Sequence, residues 1–265
     1  MEELEGLEFK THNILLPNGV RTVPERSVTL ENSPWFKQIV RHIRIVFGKT
    51  TEGIRIVDLG CCEGGYSIEL AKLGYDVTGI DIRRRNLKHA EGLKRVFKLR
   101  NVHFQMADVN DFAEFGEFDV VLCWGILYHL EDPARLLEKI GENCKKLLLL
   151  DTHFAFGENE SETHPNPHRL GEICFHKGLQ GRWFREYAPN TSDEVKEGAI
   201  WSANSNEQSF WLKKEYLIQK IRQVGFDAVS EQFDGFNGSI AEDLMAGNHY
   251  YRESRGFFLG IKDLK

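Results

Sequence analysis

No apolar run in the 265-residue sequence approaches the ~18 residues that span a bilayer, so no membrane helix is expected. No CxxC pair occurs among the five cysteines, at positions 61, 62, 123, 144 and 174. That odd, unpaired set argues against a disulfide framework or a zinc ribbon and for a reducing, cytoplasmic setting. Excess positive charge is also missing. The 34 Lys and Arg stand against 40 Asp and Glu, a net charge of −6, which gives no global pull toward nucleic acid. The start, Met1-Glu2-Glu3-Leu4-Glu5, lacks an apolar h-region, so no secretory signal is expected. Internal repeats and low-complexity tracts are absent. What remains is ordinary globular composition, 41% hydrophobic and 28% charged, which excludes collagen-like and disordered classes. The length suits one large α/β domain or one domain with an elaborate insertion.

Residues 1–33 are polar with turn signals at Pro17-Asn18-Gly19 and Val23-Pro24, and read as irregular structure wrapping the main domain. Trp35, Phe36, Ile39, Val40, Ile43 and Phe47 have helical spacing, with Asn32 or Ser33 as cap and Pro34 in the first turn. Regular alternation follows. Strands are expected at 54–59, 75–81, 102–106, 118–123 and 146–150. The helices between them start near Tyr66, carry Leu87, Ala90, Leu93 and Phe97, and open at Asp132-Pro133. Strands alternating with helices at this pitch predict an α/β fold with a doubly wound, Rossmann-like parallel sheet. The rhythm breaks at residue 151. Residues 151–210 show no clean period and read as a lid or substrate cap with short elements. A helix at 213–224, stopped by Gly225, and strands at 226–232 and 255–261 resume the pattern.

The central chemical signal is Val57-Asp58-Leu59-Gly60-Cys61-Cys62-Glu63-Gly64-Gly65. Gly60 and Gly64 stand where the backbone turns from a strand end into a helix, and glycine there lets a ligand lie against bare backbone. Asp81, 21 residues after Gly60, ends the second strand, where a carboxylate can accept hydrogen bonds from both ribose hydroxyls. The dinucleotide fingerprint would need glycine at 62, which is Cys. Asp58 would repel a diphosphate but suits an amino group. Asp108, in Met106-Ala107-Asp108-Val109, either binds the exocyclic amine of an adenine or caps the next turn. Acids at three successive strand ends around a glycine turn fit a cationic amino-acid nucleoside, S-adenosyl-L-methionine.

These residues, together with Phe118-Asp119-Val120-Val121-Leu122-Cys123, resemble the successive motifs of the class I S-adenosylmethionine-dependent methyltransferases. The departure is Cys62 in place of the usual middle glycine, a position read as needing only a small residue. The resemblance implies a seven-stranded sheet with the last strand antiparallel. It implies cofactor contacts at Asp58, Gly60, Cys61, Cys62, Glu63, Gly64, Asp81, Ile82, Ala107, Asp108, Val109, Cys123 and Trp124. The expected divisions are an N-terminal extension and helix (1–50), the cofactor-binding core (51–150), the lid insertion (151–212) and the C-terminal part of the sheet (213–265). The segment Gly125-Ile126-Leu127-Tyr128-His129-Leu130-Glu131-Asp132-Pro133 is similar to a subgroup that includes tRNA wobble-uridine carboxymethyltransferases and the methyltransferase type 11 proteins.

His129, just past the fourth strand, is a candidate general base, because neutral imidazole suits proton transfer near pH 7. Its bland alternative is a residue that shapes the cofactor pocket. Asp151 and His153, near the end of the fifth strand, are candidate catalytic contacts, or polar residues that solvate the rim. Lys177, Arg182 and Arg185 would bind a phosphate or carboxylate if they are not simply solvated. Arg83-Arg84-Arg85 reads as a solvated helix start before it reads as an RNA contact. A zinc set of His164, His168, Cys174 and His176 is disfavoured by Pro165 and Pro167, and no metal is expected. The leading reading is methyl transfer to an O or N nucleophile of a small-molecule or sugar acceptor. Behind it stand tRNA modification, a non-catalytic nucleoside-binding protein, and an NAD-dependent oxidoreductase.

Overall fold

The computed structural model describes residues 2–155, 167–232 and 254–263. Two compact units divide the chain, residues 1–122 and 123–265.

In the first unit, a segment with a bridge between Leu15 and Arg21 leads into helix α1 (Pro34–Phe47). The Ser33 hydroxyl caps it by accepting from the Phe36 amide at 3.2 Å, and Gly48, with φ 73°, ends it. Phe36, Ile39, Val40 and Ile43 form its buried stripe. Strand β1 (Arg55–Leu59) runs into helix α2 (Gly65–Lys72), then β2 (Asp76–Asp81), α3 (Arg84–Phe97) and β3 (Val102–Met106). β1 pairs with β2 and β2 with β3, both parallel, with Leu59 opposite Ile80 and Asp81 opposite Met106. Ile56, Val57, Val77 and Ile80 are wholly buried, as expected for strands covered on both faces.

Strand β4 (Phe118–Trp124) carries the boundary between the units. In the second unit, helix α4 (Pro133–Asn143) is capped by Asp132, which accepts from the Arg135 amide at 3.1 Å. Leu136, Leu137 and Ile140 are its core face. Strand β5 (Cys144–His153) extends beyond the expected strand at both ends. The insertion holds strands β6 (Leu170–His176), β7 (Leu179–Arg185) and β8 (Gln208–Leu212), with a short helix α5 (Asp193–Gly198) between the last two. It is therefore built on an antiparallel three-stranded sheet, where the sequence showed only scattered short elements. Lys177 and Gly178, at φ 49° and 79°, close the β6–β7 hairpin, the backbone that a two-residue loop demands. Helix α6 (Lys214–Gln223) and strands β9 (Ala228–Gln232) and β10 (Arg255–Ile261) complete the chain.

The main sheet has seven strands in the order β3-β2-β1-β4-β5-β10-β9. β10 is antiparallel to both β5 and β9, with Leu259 opposite Leu149 and Ser230. This is the expected α/β architecture with its last strand reversed. Among the described residues, no helix is long and apolar enough to cross a membrane.

Candidate functional site

The first unit builds its site where β1 ends. The amides of Gly60 and Cys61 both donate to the Ile80 carbonyl, at 2.8 and 2.9 Å, which ties the turn to β2. Cys62 adopts φ 50° and Gly64 φ 77°. Position 62 therefore needs a left-handed backbone, so a small side chain alone is not its requirement. Gly64 and Gly65 also answer to packing. A Cβ on the first would lie 2.5 Å from that of Ala90, and one on the second 2.4 Å from the His12 ring.

Asp81 is the pivot. Its Oδ2 accepts from the Cys62 amide at 2.9 Å. Its Oδ1 accepts from the Arg83 amide at 2.8 Å and the Asn86 side chain at 3.2 Å. Burial raises its pKa, and these hydrogen bonds act against the rise. Asp58 accepts from the Ser67 hydroxyl at 2.6 Å. Its burial pushes the pKa up to about 7, with the Ser67 bond opposing and the Asp81 charge adding. Asp108 caps the turn after β3, its Oδ1 accepting from the Asn110 amide and side chain at 2.8 and 2.9 Å. It stands exposed, as does Ile82.

Other expected contacts are placed differently. The Glu63 carboxylate turns to the N-terminal segment and accepts from the amides of Lys10, Thr11 and His12 at 2.7, 2.9 and 3.0 Å. His12 in turn accepts from the Gly65 amide at 3.0 Å, and burial lowers its pKa to about 4. Residues 10–12 thus strap the glycine turn. The side chains of Cys61, Cys123 and Val109 are buried, and Ala107 is half-buried. At Cys61, Cys123 and Val109 a ligand would meet backbone rather than side chain.

The second unit assembles an aromatic cluster. His153 stacks on Trp211 at 4.7 Å and Trp211 on Phe184 at 4.4 Å, while Tyr128 meets His153 edge-on at 4.6 Å. The Trp211 indole donates to the Tyr128 carbonyl at 2.9 Å, and the Phe210 amide to the Leu130 carbonyl at 2.8 Å. These bonds clamp the turn that bears His129. Its Nδ1 lies 2.8 Å from Oε1 of Glu186, a carboxylate just past β7. Glu186 also accepts from the Ser209 hydroxyl at 2.8 Å and the Ala203 amide at 3.3 Å. Burial works against its charge, but the His129 contact, Ser209 and Ala203 outweigh it and lower its pKa.

Asp151, expected as a catalytic group, is 1% exposed and accepts from Nε of Arg255 at 2.8 Å. That ion pair occupies its carboxylate within the strand. His153 is held between two rings. Trp124 packs edge-on against Phe257 at 5.0 Å. Lys177 pairs with Asp132, Arg182 donates to the Gly171 carbonyl at 3.0 Å, and Arg185 is exposed. Arg83 is buried at the start of α3, whereas Arg84 and Arg85 are exposed. His164 and Pro165 lie outside the described residues, among which no His, Cys, Asp or Glu group is arranged to hold a metal. Sequence reasoning missed Glu186, Ser209, Trp211 and Arg255. Nothing in their local spacing marks them, since each acts on a residue far away in the chain.

A glycine turn between β1 and α2, with acids at the ends of β1 and β2 and after β3, defines a nucleoside-binding α/β protein. The chain belongs to the methyltransferase-domain family, whose model matches residues 50–184, and so to the class I S-adenosylmethionine-dependent methyltransferases. It is 38% identical over 100 residues to the ubiquinone biosynthesis O-methyltransferase of Psychrobacter cryohalolentis, covering 36% of this chain and 37% of that one. It is 31% identical over 113 residues to the tRNA U34 carboxymethyltransferase of Campylobacter hominis, covering 41% and 39%. The chain thus spans under half the length of these two relatives. Its fold is similar to that of the N-terminal domain of EvdMO1, crystallised in the presence of SAH and D-fucose. That likeness has a TM-score of 0.67 at 22% identity, over 99% of this chain and 94% of that one.

Proposed function

We propose that this protein is an S-adenosylmethionine-dependent methyltransferase acting on an O or N nucleophile of a small-molecule or sugar acceptor. The observation that carries the reading is Asp81, fixed at the end of β2 by the amides of Cys62 and Arg83. Its two oxygens offer about four acceptor positions. Three are engaged among the described residues, so one remains for a ribose hydroxyl. Asp58 and the turn at 60–64 would hold the methionyl end. Asp108 would accept from the adenine amine, and exposed Ile82 would cover a face of the base. When bound, the cofactor supplies a methyl group already activated on a cationic sulfur. The protein's part is to hold the acceptor in line at near-attack distance. His129 takes the proton where the acceptor is a hydroxyl. Five free thiols support a cytoplasmic setting.

Calorimetric titration with S-adenosylmethionine, S-adenosylhomocysteine and NADH tests this. Micromolar binding of the first two and not the third is expected; binding of NADH alone, or of none, removes the reading. Acceptor screening then starts with hydroxylated rings, D-fucose among them. A second reading, tRNA modification, rests on the stretch shared with the Campylobacter hominis relative. Transfer to tRNA and to no small acceptor would put it first.

A further inference from the structure

The His129 ring meets an acid through one nitrogen only. Nδ1 faces Glu186, while Nε2 makes no hydrogen bond among the described residues, and the side chain keeps 11% of its surface open. Glu186 has a side chain 1% exposed and gathers three donors: the imidazole, the Ser209 hydroxyl and the Ala203 amide. A carboxylate receiving from a hydroxyl and an amide on this scale is ionised and has no proton to give. The proton on the shared bond therefore belongs to Nδ1, and in the neutral ring the lone pair is then on Nε2. Glu186, Ser209 and Ala203 all come from the insertion, whose strands β7 and β8 bring Glu186 and Ser209 together, while Asn206 donates to the His129 carbonyl at 2.9 Å.

We propose that Glu186 is a positioning residue that makes His129 a general base toward a hydroxyl acceptor, so that the insertion serves as part of the catalytic apparatus as well as a cover. The inference rests on the methyltransferase reading. An alcohol is a poor nucleophile while it keeps its proton, whereas a free amine already has its lone pair, so a built imidazole–carboxylate pair points to O-directed transfer. As the acceptor oxygen forms its bond to the methyl carbon, the sulfur–carbon bond breaks and its electron pair stays on sulfur. The hydroxyl proton passes to Nε2 of His129. The imidazolium that results is compensated by the Glu186 charge, as a buried acid does beside a catalytic histidine. Product release returns the proton to water.

The test uses the full chain and the variant Glu186→Gln, which keeps the shape and removes the charge. Nitrogen-15 NMR of the ring of His129, recorded without cofactor, reads the tautomer directly. Wild type should show Nδ1 protonated and Nε2 bare, and the variant a mixture of the two. Kinetics on an accepted alcohol should show kcat lowered by about 10²–10³-fold, KM and cofactor affinity unchanged, and no further loss when the change is added to His129→Ala. An unchanged tautomer, or losses that add across the two sites, overturns the proposal. Should Glu186→Gln not fold, Ser209→Ala removes one support and should lower kcat by about 2–10-fold with the same KM; no change there counts against it equally. The tautomer measurement needs no methyl donor. Its failure is thus distinguishable from a failure of cofactor binding, which would strike the methyltransferase reading itself.

Discussion

Asp81 and Asp151 are both buried acids near the ends of core strands, one in each unit, yet their partners differ in kind. Asp81 accepts from two backbone amides and an asparagine, so its charge is solvated by dipoles and stays available to a ligand. Asp151 accepts from a guanidinium, which cancels it. The contrast extends to the surroundings. Around Asp81 the first unit presents glycine backbone and further acids. Around Asp151 the second presents stacked rings and an imidazole–carboxylate pair. Under the proposed function, the first unit would bind the charged nucleoside and the second would act on the acceptor.

The largest effect that would break this assignment is at His129. His129→Ala should lower kcat on a hydroxyl acceptor by about 10²–10⁴-fold and leave cofactor affinity in calorimetry as it was. A loss of cofactor affinity of similar size would put both tasks on one set of residues.

Next in size is the response to pH, which the first unit should dominate. Asp58, raised from 3.8 to about 7, is protonated in the fold and ionised in the unfolded chain between those values. Its contribution is present below pH 4 and is lost as pH rises to 7. The loss is bounded at about 4 kcal/mol, three pKa units at roughly 1.4 each, and relaxation around a buried acid will reduce it. His12, lowered from 6.5 to about 4, has the opposite sign. Its contribution is full above pH 6.5 and is lost as pH falls toward 4. The two oppose each other between pH 4 and 6.5, so wild-type stability should be nearly flat there. Asp58→Asn should expose a rise with pH, and His12→Asn a fall, in urea denaturation at several pH values. A flat profile in both variants would show that neither shift exists.

Legibility from sequence also divides between the units. The strand-end placement of Asp58, Gly60, Asp81 and Asp108 was readable because a β-α-β alternation marks where each strand stops. The Asp132-Pro133 cap and the stripe Leu136, Leu137, Ile140 were readable for the same local reason. The insertion was not. Lys177-Gly178 is a turn signal, but β6 shifts register between Leu170 and Ile173, which breaks the two-residue period that would have marked a strand. Its burial alternates poorly as a result. Glu186 meets His129 across 57 positions, and Arg255 meets Asp151 across 104. No spacing rule reaches that far, so the sequence marks His129 and Asp151 without the partners that hold them.

A smaller effect sharpens the ribose assignment. Asp81→Ala should weaken S-adenosylmethionine binding by about 1–2 kcal/mol, a factor of roughly 5–30, through lost charge-assisted hydrogen bonds. Measured beside Asp151→Asn, which should leave cofactor affinity unchanged, it isolates the acid that faces the nucleoside. Equal losses in both variants would erase the distinction between dipole-held and guanidinium-held acids.

The smallest effect concerns Cys62. A side chain at φ 50° carries a strain of about 1–2 kcal/mol, and glycine carries none there. Glycine also loses more freedom on folding, by about 0.5–1 kcal/mol. Cys62→Gly should therefore raise stability, by no more than about 1.5 kcal/mol, and Cys62→Val should lower it, since a branched Cβ fits the left-handed region worst. Opposing the gain is the contact of the Cys62 sulfur with the Thr11 hydroxyl at 3.7 Å, on the strap that covers the turn. If Cys62→Gly proves less stable than wild type by denaturant midpoint, the strap contact outweighs the backbone strain. The cysteine would then be there to hold residues 10–12 down over the turn, and Thr11→Ala should reproduce the loss.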